Sequence, residues 1–142
     1  MSATQIASHF REGPAPGDVS SYDVEGDLSS YEYCFVELDT GRPRSVKAYN
    51  GGFPVGVLTN RPTEDPTATA FSLIARVQTR GKALVKAGSG GIATSDLVKV
   101  TTGGVVVKAT PSDKDIIVGQ CEYPAAEGLV GTIRLLATYA SV

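Results

Sequence analysis

The 142-residue chain has no tryptophan, one methionine, one histidine and two cysteines. A single histidine excludes a His-rich metal centre and any active site built from several imidazoles. Two cysteines are too few for a disulfide framework. Cys34 lies in Tyr-Cys-Phe-Val and Cys121 in Val-Gly-Gln-Cys-Glu-Tyr, both strand-like settings that predict reduced, buried thiols. A reducing cytoplasm is the compartment this implies for folding. No apolar run approaches the roughly 18 residues of a membrane span. The start, MSATQIASHF, lacks a basic stretch followed by an apolar one, so no signal peptide is expected. The formal net charge of −2 argues against a general phosphate-binding surface, so neither nucleic acid nor a membrane is an expected partner. What is present is ordinary for a soluble globular protein, with 42% hydrophobic and 20% charged residues. The length suits one domain with a modest core.

Charge divides the chain. Residues 1–32 hold six acids (Glu12, Asp18, Asp23, Glu25, Asp27 and Glu32) against Arg11 alone, a net of −5. Residues 33–142 hold twelve bases and nine acids, a net of +3. The first segment also carries Gly13-Pro14-Ala15-Pro16-Gly17 and two Ser-Ser pairs. It reads as an extended, acidic N-terminal arm over 1–32, followed by a β-rich core over 33–142. A helix over Thr4–Arg11 would have too few turns to stand alone. Ile6, Phe10, Val19, Tyr22, Val24 and Leu28 punctuate the arm. They either fold back on the core or dock on another chain.

The rest reads as an all-β domain of eight or nine short strands. Period-two alternation or turn-bounded apolar runs place strands at 33–38, 44–49, 55–59, 69–79, 83–86, 96–101, 105–109, 116–123 and 131–138. A helix competes over 69–79, because Phe71, Ile74, Ala75 and Gln78 also line up. Asn50-Gly51 predicts a hairpin between the second and third of these strands. Short strands at this spacing suggest a small barrel or sandwich.

Several groups merit a chemical test. Asp39-Thr40-Gly41, within Phe-Val-Glu-Leu-Asp-Thr-Gly, resembles the aspartic-protease signature, in which two carboxylates share a proton. Ile116-Ile117-Val118-Gly119-Gln120 faintly echoes that family's later motif. Arg42-Pro43-Arg44 after the triplet and Glu37 two residues before Asp39 depart from it, and a plain turn explains the triplet as well. Gly88-Ser89-Gly90-Gly91 lacks the Gly-Lys-Ser/Thr opening of a phosphate loop. His9 with Cys34 would need a rigid geometry that an arm does not supply. Asp113-Lys114-Asp115 and Glu64-Asp65 read as loop charges with too few converging oxygens for a cation. Arg76, Arg80, Lys82 and Lys86 form a solvated face, or a patch for an acidic surface, the arm's own included.

One ordered series of motifs points to a family. Pro54-Val55-Gly56-Val57-Leu58 is followed by Val77 through Gly81-Lys82-Ala83-Leu84-Val85. Next come Gly91-Ile92-Ala93-Thr94-Ser95-Asp96-Leu97-Val98 and Gly103-Gly104-Val105-Val106-Val107-Lys108-Ala109. Ile117-Val118-Gly119-Gln120-Cys121 and Gly128 lead to Gly131-Thr132-Ile133-Arg134-Leu135. From about Tyr33 to the C-terminus this order resembles the capsid decoration (head-stabilising, or cement) proteins of tailed bacteriophages, the lambda-type proteins among them. Ser95 stands where a Gly often precedes the Asp. The resemblance implies a β-tulip-like or small-barrel fold, no catalytic residue, no metal and no cofactor. It also implies a place on the outer capsid face after synthesis in the host cytoplasm. The partner would be the major capsid protein, bound by a homotrimer. The alternatives are a phage tail or head-fibre accessory module, or a retropepsin-like enzyme using Asp39. On the decoration reading, Ile6, Phe10, Val19 and Tyr22 are the expected capsid contacts.

Overall fold

A computed structural model describes residues 18–67, 73–110 and 116–141, with side chains described as far as residue 136. It is all-β, with two lobes in succession along the chain. The first lobe has strands β1 (Val19–Val24), β2 (Phe35–Leu38), β3 (Ser45–Ala48), β4 (Pro54–Leu58) and β5 (Ile74–Gln78). These form a closed barrel in the order β1-β3-β2-β4-β5. Neighbours are antiparallel except β1 and β3, which run parallel with Asp23 opposite Ser45. The second lobe has β6 (Lys82–Lys86), β7 (Leu97–Val100), β8 (Val106–Lys108), β9 (Ile116–Tyr123) and β10 (Val130–Ser141). They form an antiparallel sheet in the order β6-β10-β9-β7-β8. That sheet curls until its edges meet: Ala87, just past β6, bridges Val106 of β8, and the Gly88 amide donates to the Val106 carbonyl at 2.7 Å. Burying both edges in this way removes a template for unwanted pairing.

Strand alternation assigns each side chain to one of two cores. Val24, Val36, Val46, Leu58, Ala75 and Val77 point into the barrel, with Leu28 closing it. Their sequence neighbours Phe35 and Val57 point outward, yet both are fully buried. The second sheet covers them, and they join Val85, Val98, Val106, Val118 and Ile133 in its core. The lobes are therefore packed together through the outer face of β2 and β4. The Lys86 amide donates to the Tyr33 carbonyl at 2.9 Å across this junction. Gly104, at φ +82°, lies so close to the Phe35 backbone that any Cβ would collide with it. Gln78, also on the outward face and buried, donates from Nε2 to the Arg80 and Lys82 carbonyls at 2.8 and 2.7 Å. That pair of bonds fixes the turn carrying the chain from one lobe to the other.

Two expectations change here. The arm expected over 1–32 enters the barrel at Val19: β1 pairs with β5 from Val19–Gln78 to Asp23–Ile74. Its Tyr22 and Val24 face the barrel core while Ser21 and Asp23 face outward, and that sparse alternation is too weak to announce a strand. The hairpin expected at Asn50-Gly51 does not form, because β3 and β4 lie on opposite sides of β2 and never pair. The turn instead steps over the end of β2. Gly51 takes the positive φ, +88°, that the dipeptide favours. Glu37, 9% exposed, holds the loop by accepting from the Asn50 amide and, at 3.1 Å, from the Gly52 amide. Within the 69–79 window the described part is a strand, with Ala75 and Val77 buried and Ile74 facing out.

Candidate functional site

The chemically suggestive motifs resolve into structural parts. Asp39 sits in the β2–β3 hairpin, whose closing bond runs from the Asp39 amide to the Ser45 carbonyl at 2.8 Å. Its Oδ1 accepts from the Gly41 amide at 3.0 Å, and its Oδ2 lies 3.8 Å from Arg42 Nε. A shared-proton dyad needs a second carboxyl facing the first. Asp39 faces a backbone amide and a guanidinium, so the triplet is a turn. Arg42 continues the network, donating to the Val24 carbonyl at 2.7 Å and lying 3.5 Å from Glu64. One guanidinium thus ties the hairpin to β1 and to the loop ahead of β5.

The glycine-rich loop at 88–91 is no phosphate cradle either. The Gly88 amide bonds to Val106, Gly91 to Gly88, and Ile92 to Ala125, each through a backbone carbonyl. The Gly90 amide donates to Glu127 Oε1 at 3.2 Å. Donors already engaged in this way cannot hold an anion. The loop borders an open trough of about 610 Å³, lined among others by Asp96, Lys99, Thr101 and Lys108. Asp96 accepts from the Ala93 amide at 2.9 Å and lies 3.9 Å from Lys108 Nζ, so acid and base in the trough face one another.

The basic residues of 76–86 do not form one patch, because they divide between β5 and β6, which belong to different sheets. Arg80 pairs with Asp18 at 3.3 Å and Lys82 with Glu122 at 3.4 Å. Glu32 lies 3.2 Å from Arg61. Among the described residues, the acidic N-terminal stretch thus meets this chain's own bases at two points. Asp27 accepts from the Ser29 hydroxyl at 2.6 Å and the Ser29 amide at 3.0 Å. Those donors, the hydroxyl first, hold its carboxyl below the usual aspartate value.

Cys34 and Cys121 are free and buried. Burial pushes both thiols up, Cys121 to about 11 with the Asp96 charge adding to the shift. A thiol so raised is a poor nucleophile at neutral pH. His9 and Asp113-Lys114-Asp115 lie outside the described residues. Among the described residues no three His, Cys, Asp or Glu side chains gather as a metal site would require.

Ile6 and Phe10 also lie outside the described residues. Val19 and Tyr22 are brought together in β1, both half-buried; Val19 is paired with Gln78, and Tyr22 packs on the barrel core. Two surface residues escaped the sequence reading. Leu38, at the end of β2, is 50% exposed, and Phe53, just ahead of β4, is 63% exposed. The register pairs Glu37 with Pro54, which puts Leu38 and Phe53 side by side at the ends of neighbouring strands. The available signal was Gly51-Gly52-Phe53-Pro54, an aromatic at a turn tip with no strand period to bury it.

No protein-family model matches the chain, and no curated protein matches it in sequence. Solved structures do match in fold. The N base of head fiber gp8.5 in bacteriophage phi29 superposes with a TM-score of 0.61 at 14% identity, over 85% of this chain and 95% of that one. A chain of the capsid of Myoviridae phage XM1 superposes with a TM-score of 0.64 at 16% identity, over 84% of this chain and 83% of that one. Both likenesses span barrel and second sheet together. Identities this low establish a shared fold, one found in proteins of phage heads.

Proposed function

We propose that this protein is a non-enzymatic structural component of a phage virion. It binds the outer surface of the mature capsid and clamps neighbouring major capsid protein subunits. The observation that carries the reading is the two-lobed fold, similar over most of its length to two phage-head chains. The engagement of the motif residues in turns and ion pairs is consistent with it. A clamp that binds only the assembled lattice stabilises that state by mass action. A homotrimer touching several subunits raises the effective concentration, so modest contacts suffice. Residues ahead of β1, with Ile6 and Phe10 as apolar anchors and Val19 and Tyr22 as their root in the barrel, add contacts as an extended segment can.

The test is copy number in purified particles, by quantitative mass spectrometry against the major capsid protein. A fixed simple ratio is expected. A second reading, a head-fibre base, is favoured by the match to 95% of the fibre-base chain. It predicts only a few copies per particle. Absence from particles overturns both. Removing residues 1–17 leaves β1 intact and is expected to weaken capsid attachment with the fold retained, read by co-sedimentation with shells.

A further inference from the structure

The sequence holds two asparagines, and the fold treats them oppositely. Asn60 is engaged at both ends of its carboxamide. Its Nδ2 donates to the Ile74 carbonyl at 2.9 Å, and its Oδ1 accepts from the Arg76 amide at 3.1 Å. Arg61 follows it. Asn50 is exposed, its carboxamide has no hydrogen-bond partner among the described residues, and Gly51 follows it. The main chain around Asn50 is just as selective. The Asn50 and Gly52 amides both donate to Glu37. The Gly51 amide between them donates to nothing among the described residues. Gly51 is itself exposed at φ +88°, and the space where a side chain would stand is empty. A glycine has no Cβ to hinder approach at its nitrogen. One free main-chain nitrogen is thus left beside one free carboxamide carbon, both open to water.

These are the two reacting atoms of deamidation, the chemistry that makes asparagine a thermolabile residue. We infer that Asn50 is a self-modification site and that the Glu37 clamp sets its pace. The Gly51 amide loses its proton, and its nitrogen attacks Cγ of Asn50. The N–Cγ bond forms, the Cγ–Nδ2 bond breaks, and ammonia leaves with a proton, closing a cyclic imide. Water then opens the ring. Attack at Cγ restores the main chain and leaves an aspartyl side chain. Attack at the main-chain carbonyl leaves the chain routed through Cγ, as an isoaspartyl link. Nothing is oxidised or reduced, and each event adds one negative charge. That charge arises in the loop the Glu37 carboxylate already holds. The isoaspartyl link also lengthens the main chain by one carbon between the two clamped amides. Both changes loosen the loop that leads into Phe53. Ring closure requires Asn50 to turn about its Cα–C bond, which the two bonds to Glu37 resist. The carboxylate's charge also opposes loss of the Gly51 proton. The clamp therefore slows the reaction without covering either atom.

The inference is independent of the capsid-binding reading. Full-length protein is held in mildly alkaline buffer, folded or in urea, and followed by peptide mapping with mass spectrometry. An isoaspartyl methyltransferase marks the isoaspartyl product, and circular dichroism confirms that the folded samples stay folded. The folded wild type is expected to convert at Asn50 to both products and to leave Asn60 intact. Glu37→Ala, checked for its fold in the same way, is expected to convert Asn50 about fivefold faster, the scale of one net hydrogen bond of restraint. Asn50→Ser is expected to show no drift to a more acidic species on ion exchange. If the folded wild type keeps Asn50 intact over a period in which the urea-unfolded chain converts it, the fold shields the site and the inference is overturned. If Asn60 converts as fast as Asn50 in the folded protein, the free pair does not select the site and the inference is overturned. If Asn50 converts at one rate with and without Glu37, the site stands and the clamp's part is overturned.

Discussion

Among the described residues, the barrel encloses seven buried apolar side chains, whereas the second sheet packs eleven of its own against Phe35 and Val57 borrowed from the barrel. The polar interior is distributed the other way. Among the described residues, Glu37, Ser45, Thr63 and Gln78 are buried in the barrel lobe, and only Thr132 in the second. A five-stranded barrel has little room for side chains. This one fixes its loops with side-chain hydrogen bonds: the buried Glu37 to Asn50 and Gly52, the buried Gln78 to the nearby Arg80 and Lys82, and the exposed Arg42 to the distant Val24. The second lobe relies on apolar packing and on backbone bonds through glycine turns. The difference shows which lobe carries the other: the barrel's outer face is dry only because the second sheet lies on it.

Removing the shared residue is the severest test of that dependence. Phe35→Ala is expected to cost about 3–5 kcal/mol and to lower both lobes together in one transition. Segment-resolved hydrogen exchange against urea would check this, and barrel amides that stay protected while the second lobe opens would break the comparison. Gly104→Ala attacks the same junction through the backbone. Its positive φ and the collision with Phe35 together predict a loss of about 3 kcal/mol, read by thermal melting. Glu37→Ala separates the lobes, since it leaves two loop amides unpaired in the barrel alone. About 2 kcal/mol is expected, with faster exchange at Asn50 and Gly52 and unchanged exchange along β9.

Alkaline titration reports on the second lobe. The Cys121 thiol is raised from 9.0 to about 11 in the fold, so the unfolded chain loses that proton first. Stability therefore falls as pH rises from about 9 towards 11, and Cys121→Ala flattens that part of a stability–pH curve. The smallest effect is a gain. The Thr132 hydroxyl is buried without a hydrogen-bond partner. Thr132→Val is expected to stabilise the protein by about 1 kcal/mol, read as a rise in melting temperature.

Legibility in the sequence follows the range of the interactions. The strand at 116–123 was readable to the residue, because Ile116-Ile117-Val118 opens it and Cys121 and Tyr123 alternate with Gln120 and Glu122 up to Pro124. β1 was not. Val-Ser-Ser-Tyr-Asp-Val has two core-facing side chains, and its partners Ser45, Val46 and residues 74–78 are remote in sequence. Asn50-Gly51 announced a turn correctly, but no local signal shows that β2 already occupies the place between β3 and β4. The turn at Asp39-Thr40-Gly41 could be weighed from its following arginines alone. The Leu38–Phe53 pair could not, since it depends on a register between two strands and on a carboxylate folded beneath a loop.

Barrel closure by β1 also bears on how the chain is made. Val19 leaves the ribosome early, but its partner Gln78 follows only after the other barrel strands have been synthesised. Non-local pairing of this kind is slow to form, because the loop must close before any contact rewards it. The nascent chain therefore carries Val24, Val36, Val46 and Leu58 without a shared interior until residues 74–78 emerge. Its first strand is among the last to be fixed, and a ribosome stalled ahead of Ile74 would hold an open, aggregation-prone half-barrel for chaperones to shield.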